Sequence, residues 1–200
     1  MKLFYSPGAC SLSPHIVALE ADLAIQLEKT DLASKKTATG QDFTTINPKG
    51  YVPTLQLDDG AILTEGPVIV QYLADKAPGS KLIPATGTME RYRVLEWLNF
   101  ISTELHKSFS PFFNPASTDA RKQDAKAYLE RRFKTVEDQL AKHEYIAGDQ
   151  FTVADAYLFT VLSWGKFVSL ELPEALQAYV GRVFQRPAVQ QALKEEGLLK

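Results

Sequence analysis

The stretch K-L-F-Y-S-P-G-A-C-S-L-S-P-H at residues 2–15 decides the fold of the first part of this chain. Residues 3–5 predict a short apolar strand, residues 6–8 predict a turn, and a helix is expected to begin near Cys10. The first turn of a helix offers unpaired backbone N–H groups and the positive end of the helix dipole, which stabilise a thiolate. The position of Cys10 therefore indicates sulfur chemistry, although a small buried filler is the commoner role of an intracellular cysteine.

The lack of a second cysteine limits that chemistry. A C-x-x-C redox motif would need its second thiol at Ser13, so Cys10 can pair only with a thiol or disulfide from another molecule. A cysteine hydrolase, in which a histidine activates the nucleophile, is the alternative. Its candidate histidines are His15, His106 and His143, and no local signature supports any of them.

The composition predicts an ordinary soluble protein. The chain has 200 residues, 45% of them hydrophobic, which suffice for one large core or two small ones. A net charge of −2 without a basic block argues against nucleic acid or anionic lipid as partners. No apolar run approaches the length of a membrane span and the start does not resemble a signal peptide, so we expect no membrane association and a cytoplasmic location.

The first eighty residues predict a small α/β domain. The alternation I-Q-L-E-K-T over residues 25–30 is typical of a half-buried strand, and residues 31–49 are expected to be loop-rich with one helical turn. Asp-Asp-Gly at residues 58–60 lies between two short apolar runs and predicts a hairpin. Pro67 suits the first turn of a following helix. The resulting order is β-α-β, a β-hairpin and a helix.

The second part of the chain is predicted to be entirely helical. Four prolines and glycines fall within ten residues between Ala77 and Thr88, so we expect domains at residues 1–80 and 88–200. Helical spacing recurs beyond that boundary, over residues 89–113, 119–142, 152–168, 173–185 and 187–195. The fold class is therefore α/β followed by all-α.

Two segments of the first domain are candidates for ligand binding. If the Val52–Pro53 bond is cis, the Val52 N–H and C=O groups turn outward and could pair with an extended peptide; an ordinary edge proline is the alternative. Glu65 and Gly66 stand at a helix start, where backbone N–H groups can receive a carboxylate and Glu65 can hold an ammonium group. Simple helix capping is the alternative there.

Three features of the helical domain are informative. Asn99, Thr103, His106 and Ser110 recur at helical spacing and are expected to share a polar face. Aromatic residues flank that face and suggest a pocket wall, although most are better explained as core; those considered include Trp97, Phe100, Phe109, Phe112, Phe113, Trp164 and Phe167. Thr152 and Asp155 match a capping box, with Asp155 important for folding and not for chemistry.

Six motifs in order resemble one family, the soluble glutathione transferases, and specifically the bacterial beta class. They are Y-S-P-G-A-C-S-L-S-P-H at 5–15, D-L-A-S-K-K-T at 31–37, N-P-K-G-Y-V-P-T-L at 47–55, L-T-E-G-P-V-I-V-Q-Y-L at 63–73, W-L-N-F-I-S-T-E-L-H-K at 97–107 and F-T-V-A-D-A-Y at 151–157. The resemblance implies a thioredoxin-like first domain, a helical second domain, a homodimer, and reduced glutathione bound between the domains without a metal.

The resemblance also implies roles for individual residues. Cys10 would be the class-specific catalytic cysteine, able to form a mixed disulfide with glutathione, with Ser11 and His106 as the side chains favouring the thiolate. Glutathione would contact Lys35 at its glycine end, Val52 beside a cis Pro53 at its cysteinyl backbone, and Glu65 and Gly66 at its γ-glutamyl end. The helical domain would contribute Asn99, Thr103, Glu104, Leu105 and His106 to glutathione binding. The aromatic residues considered above supply the predicted acceptor pocket, formed by Phe109, Phe113, Trp164 and Phe167.

One position departs from the family pattern. The family usually has serine where this chain has Gly66, so a hydroxyl contact to the γ-glutamyl carboxylate is missing, at a cost of about 0.5–1.5 kcal/mol or more. The expected activity is conjugation of glutathione to small hydrophobic electrophiles, with thiol–disulfide exchange through Cys10. A dedicated disulfide or dehydroascorbate reductase and a non-catalytic interaction module of the same shape are the alternatives.

Overall fold

A computed structural model describes residues 1–199 of the protein. The chain forms two compact units: the first comprises Met1–Ile83 and the segment that begins at Gln185, and the second comprises Pro84–Phe184. The sequence assigned everything after residue 88 to the helical domain. The structure differs at the C-terminal end, because the last helix packs on the first unit.

The first unit is built on a five-stranded mixed sheet. Its strands are β1 (Lys2–Tyr5), β2 (Gln26–Asp31), β3 (Lys36–Thr37), β4 (Thr54–Gln56) and β5 (Ile62–Thr64), in the order β3-β2-β1-β4-β5. Strand β1 lies at the centre, parallel to β2 and antiparallel to β4. Leu3 and Phe4 are almost fully buried there, as the apolar run predicts. This arrangement is thioredoxin-like and confirms the predicted β-α-β, hairpin, α order.

Three helices accompany this sheet: α1 (Leu12–Glu20), α2 (Gly66–Lys76) and α9 (Pro187–Glu195). Helix α9 packs on α1 and buries Val189 and Ala192 completely. At the beginning of α9 the Arg186 guanidinium donates to both carboxylate oxygens of Glu20, at 2.6 and 2.8 Å. The loop between β2 and β4 contains the expected helical turn, Phe43–Thr45, and also β3, which the sequence did not predict.

The second unit is helical. It contains α3 (Met89–Phe100), a π-helical segment (Ile101–His106), α4 (Lys107–Phe113), α5 (Asp119–Leu140), α6 (Val153–Ser163), α7 (Gly165–Val168) and α8 (Glu174–Phe184). Ten consecutive residues of α6, 153–162, are buried, so this helix forms the core of the unit. No helix within residues 1–199 combines the length and the apolar character needed to cross a membrane.

The capping box is present at the start of α6. The buried Asp155 carboxylate accepts from the Thr152 N–H and hydroxyl, each at 2.9 Å, and from the Ile146 N–H and the Tyr179 hydroxyl, each at 2.8 Å. Burial raises the pKa of Asp155, and the four donors oppose that shift. Asp155 therefore ties α6, α8 and the preceding loop together.

Candidate active site

Cys10 lies in the loop between β1 and α1. Helix α1 begins at Leu12, two residues later than the sequence predicts, with Ser11 as its N-cap. The Leu12 and Ser13 N–H groups bond back to Ala9 and Cys10, so the loop enters the helix through a tight turn. The half-buried Cys10 thiol donates to the Val52 carbonyl oxygen, with a sulfur–oxygen distance of 3.2 Å.

Ser11 closes this loop. Its buried hydroxyl oxygen accepts from the Ser6 N–H at 3.1 Å and donates to the Ser6 carbonyl at 3.3 Å. The predicted role of Ser11 as a donor to the thiolate stays a prediction. In the structure, the hydrogen bonds of Ser11 to Ser6 stabilise the turn that carries Cys10.

A small apolar cluster fixes the position of Val52 beside Cys10. Val52 packs with Phe4 and Phe43, whose ring centroids are 5.5 Å apart, and Ala9 of the cysteine loop packs against the same cluster. The Val52–Pro53 peptide bond is cis. Because the loop and Val52 share this cluster, the Cys10 sulfur and the Val52 carbonyl are held together by packing on both sides.

Lys35 approaches the same edge of the first unit. Its ammonium group donates to the Gly50 carbonyl at 2.7 Å, two residues before Val52. The backbone of Lys35 is in the left-handed region, with φ at 57°, which is uncommon for a residue other than glycine. The structure therefore brings Lys35, Val52 and Cys10, which are far apart in sequence, to one edge.

Glu65 stands at the start of α2 in an unusual backbone conformation, with φ at 72° and ψ at 113°. Its carboxylate accepts from the Lys49 ammonium at 2.6 Å and from the Tyr51 hydroxyl at 2.9 Å. The hydrogen bond to Glu65 raises the pKa of Lys49. Strained backbone of this kind concentrates at functional sites, so the conformation of Glu65 supports its selection as a binding residue.

The sequence analysis quoted Lys49 and Tyr51 in a motif but assigned them no role. Surface lysines and tyrosines carry no periodicity that would mark them. Their spacing from Glu65, 16 and 14 residues, gives no local signal either. The signal that could have identified them is chemical, since a candidate ammonium-binding carboxylate needs a cation partner when no ligand is bound.

In the second unit, the predicted binding residue Asn99 lies near the end of α3, and the other four, Thr103, Glu104, Leu105 and His106, lie on the π-helical segment between α3 and α4. A π turn contains an extra residue and changes the register of the side chains that follow it. Asn99, Thr103 and Ser110 are exposed, but His106 is partly buried. Its Nδ1 lies 2.6 Å from the Tyr157 hydroxyl of α6. Segments of this kind are frequent at functional sites.

Glu104 of this segment is held against α5. Its carboxylate accepts from the Tyr128 hydroxyl at 2.5 Å and pairs with Arg132 Nε at 2.8 Å. The Tyr128 hydrogen bond, assisted by the charge of Arg132, holds the pKa of Glu104 below its ordinary value. Leu105 is fully buried, so its predicted ligand contact cannot involve an exposed side chain.

The aromatic residues proposed for the acceptor pocket divide into core and surface. Trp164 makes edge contacts with His106, Phe109 and Phe113, at centroid distances of 4.7, 5.7 and 5.7 Å. Phe109 is fully buried and supports Trp164 from the core. Phe113 and Phe167 are 50% and 62% exposed. Surface for an apolar ligand therefore comes from Phe113 and Phe167, and not from Phe109.

The structure does not favour a cysteine hydrolase. Both ring nitrogens of His15 face carboxylates, at 3.1 Å from Glu196 and 2.8 Å from Glu195, and the ring is 1% exposed. His143 faces Asp149 at 3.3 Å on the surface.

Within residues 1–199 no cluster of three or more His, Cys, Asp or Glu side chains is arranged to hold a metal ion.

A thioredoxin-like unit followed by a helical unit is the architecture of the glutathione transferase fold. Comparisons with known proteins agree. The Glutathione S-transferase N-terminal domain model matches residues 8–76, and the C-terminal domain model matches residues 100–187. Glutathione S-transferase GstA of Escherichia coli O157:H7 is 47% identical over 200 residues, covering 99% of this chain and 100% of that protein.

Solved structures give the same result. One described as a ternary complex of BphK, a bacterial GST, is 59% identical with a TM-score of 0.97, covering 99% of this chain and 100% of the other. A sphingomonad glutathione S-transferase complexed with glutathione is 47% identical with a TM-score of 0.96, over 99% and 100% of the two chains. The bacterial beta-class enzyme of Sphingomonas chungbukensis matches at 47% and 0.96 over both full lengths. This chain belongs to the glutathione S-transferase family.

Proposed function

We propose that this enzyme conjugates the thiol of glutathione to small hydrophobic electrophiles and exchanges thiols with disulfides through Cys10. The observation that carries the proposal is the contact between the Cys10 sulfur and the Val52 carbonyl. It brings a thiol beside the Val52 backbone, just before β4 begins, where an extended peptide would pair. Family membership makes glutathione the peptide that fits.

Glutathione binding would use the first unit. Its cysteinyl N–H would bond to the Val52 carbonyl and displace the Cys10 thiol from that oxygen. Its γ-glutamyl ammonium would join Glu65, where Lys49 and Tyr51 now bind, and its carboxylate would meet the backbone N–H groups at Gly66. Lys35, whose ammonium lies on the Gly50 carbonyl, would pair with the glycine carboxylate.

Two reactions follow from these positions. In conjugation, the glutathione thiolate attacks an electrophilic carbon, a carbon–sulfur bond forms, and a halide or similar group leaves with its electron pair. In exchange, the Cys10 thiolate attacks a disulfide of glutathione, forming the Cys10–glutathione disulfide and releasing a glutathione thiolate. Attack by a second thiolate on the glutathione sulfur of that adduct forms a new disulfide with glutathione and releases the Cys10 thiolate.

The electrophile would bind at the exposed aromatic surface of the second unit, formed by Phe113 and Phe167 with Trp164 behind Phe113. Asn99, Thr103, Glu104 and His106 remain proposed contributors to glutathione binding. We also propose that the enzyme is a cytoplasmic homodimer. Met89 and Tyr92, 64% and 56% exposed on α3, supply apolar surface that a second copy could cover.

A dedicated disulfide reductase is the second candidate, and the half-buried position of the Cys10 residue favours it. Comparing wild type with Cys10→Ala on a chloroarene and on a glutathione-containing disulfide decides between them. We expect wild type to turn over both, and the variant to lose the disulfide reaction and the Cys10–glutathione adduct detected by mass spectrometry. Unchanged turnover of both substrates by the variant would remove Cys10 from the mechanism, and turnover of the disulfide alone by wild type would identify a dedicated reductase.

A further inference from the structure

A buried charged cluster in the first unit connects the cysteine loop to the C-terminal helix. The Glu196 side chain has no exposed surface, and its two carboxylate oxygens have different partners. Oε1 lies 3.1 Å from His15 Nδ1 of α1, and Oε2 accepts from the Gly8 N–H at 2.8 Å. Gly8 lies two residues before Cys10. One carboxylate near the end of the chain therefore contacts the backbone that carries the candidate nucleophile.

The backbone at the end of α9 sets the position of Glu196. Gly197 has φ at 74°, and its N–H bonds to the Lys194 carbonyl at 3.0 Å, while the Leu198 N–H bonds to the Leu193 carbonyl at 2.8 Å. These two bonds are the Schellman motif, in which a left-handed glycine ends a helix. The motif makes Glu196 the C-cap residue. Its side chain is therefore held by a rigid helix end and not by a mobile tail.

His15 holds the carboxylate from the other side. Its second nitrogen, Nε2, lies 2.8 Å from Glu195 Oε2. The His15 ring therefore lies between two carboxylates, Glu196 on one side and Glu195 on the other. Tyr5 of β1 faces the same group, with its ring 6.5 Å from that of His15, and burial together with the charges of Glu196 and Glu195 raises the pKa of Tyr5.

We propose that Glu196 is a positioning residue for the cysteine loop. By accepting the Gly8 N–H it fixes the middle of a turn whose ends are already fixed by the Ser6–Ser11 hydrogen bonds. Cys10 is thereby kept against Val52. The consequence for glutathione binding rests on the proposed function, but the consequence for the reactivity of Cys10 does not.

Alkylation of the chain's single thiol by iodoacetamide tests this proposal. Loss of the contact with Gly8 would loosen the loop and expose Cys10. We therefore expect Glu196→Ala to be alkylated at least about fivefold faster than wild type, which is less than the full loss of a charge-assisted hydrogen bond would permit. Glu195→Ala is the matched control, because Glu195 contacts His15 but not the loop. Its alkylation rate should stay within roughly twofold of wild type.

Glu196→Gln separates positioning from stability. Its amide oxygen can still accept the Gly8 N–H, although the charge facing His15 is lost. We expect this variant to unfold at a lower temperature than wild type and yet to be alkylated at nearly the wild-type rate. Wild-type alkylation of folded Glu196→Ala would overturn the proposal, as would equal acceleration in all three variants.

Two further measurements complete the test. If Glu196→Ala does not fold, hydrogen exchange of the Gly8 amide in the wild-type protein decides: a protected amide supports the contact, and exchange at the rate of an unstructured peptide refutes it. In folded variants, Glu196→Ala should raise KM for glutathione more than Glu195→Ala does. A protein that binds no glutathione would defeat the proposed function and leave the alkylation and exchange results valid.

Discussion

The substitution Gly66→Ser tests the prediction that a hydroxyl at the start of α2 would add a contact to bound glutathione. Gly66 is the first residue of that helix, and its φ lies outside the left-handed region, so a side chain is compatible with its backbone. A Cβ atom added there would lie 3.6 Å from Pro53 Cγ and 4.0 Å from Pro53 Cδ. Those distances are ordinary van der Waals contacts, and serine should fit without repacking.

The expected gain is the value of one hydrogen bond to the γ-glutamyl carboxylate. A hydrogen bond contributes about 0.5–1.5 kcal/mol net, and more with a charged partner. At about 1.4 kcal/mol for each factor of ten, glutathione should bind roughly 2- to 12-fold more tightly to Gly66→Ser. Gly66→Ala is the matched control. Both variants should gain about 0.4–1 kcal/mol of stability, because either side chain restricts the unfolded chain.

Titration calorimetry with glutathione measures the difference between the two variants, and this difference isolates the hydroxyl. A second titration with cysteinylglycine, which lacks the γ-glutamyl residue, should show no difference between them. The reasoning is refuted if alanine tightens glutathione binding as much as serine does, or if serine tightens the binding of both ligands equally.

Three other substitutions test stability and charge. Asp155→Ala should lower the free energy of unfolding by at least about 3 kcal/mol, because it strands several buried donors; urea unfolding measures it. Gly165→Ala should cost about 1–3 kcal/mol, since its Cβ would lie 2.8 Å from a backbone carbonyl oxygen; thermal unfolding measures it. The pKa of Glu104 is lower in the folded protein than its ordinary value of 4.5. The stability that Glu104 contributes is therefore present above pH 4.5 and is lost as the pH falls through its folded pKa. Glu104→Gln should remove this loss from the dependence of unfolding free energy on pH.

Each of the three has its own control. Asp155→Asn keeps one acceptor oxygen and should be less destabilised than Asp155→Ala; equal losses would mean that the hydrogen bonds are unimportant. Gly181→Ala, with no atom within 4 Å of its added Cβ, should unfold at or above the wild-type temperature, and a drop matching that of Gly165→Ala would contradict the clash. If the stability of Glu104→Gln falls with decreasing pH as steeply as that of wild type, Glu104 does not contribute to the pH dependence of stability.

The elements that the sequence predicts well are those fixed by local chemistry. The Asp-Asp-Gly turn lies between β4 and β5 as expected, because few residues tolerate the backbone of a tight hairpin turn. The capping box at Thr152 and Asp155 is also predictable from local sequence, because both partners lie within one helical turn. Helix α9 has the predicted bounds, 187–195, because Pro187 begins it and Gly197 follows its end.

The features that the sequence does not predict depend on tertiary contacts. Strand β3 is two residues long and exists through pairing with β2, so no alternation reveals it. The π-helical segment differs from an α-helix by one residue in register. Its apolar spacing at Ile101, Leu105 and Phe109 fits either form closely enough to conceal the difference.

Helix α9 shows most clearly why an element can be predicted correctly and its partner missed. Its apolar face, with Val189 and Ala192, would suit a helical bundle as well as the flank of a sheet, so periodicity cannot choose between them. The polar contacts at its two ends, Arg186 with Glu20 and Glu196 with His15, link residues separated by 166 and 181 positions and fix its place on the first unit. Those pairs connect the end of the chain to the helix that follows the cysteine loop, so a substitution at the C-terminus is expected to affect thiol reactivity at the N-terminus.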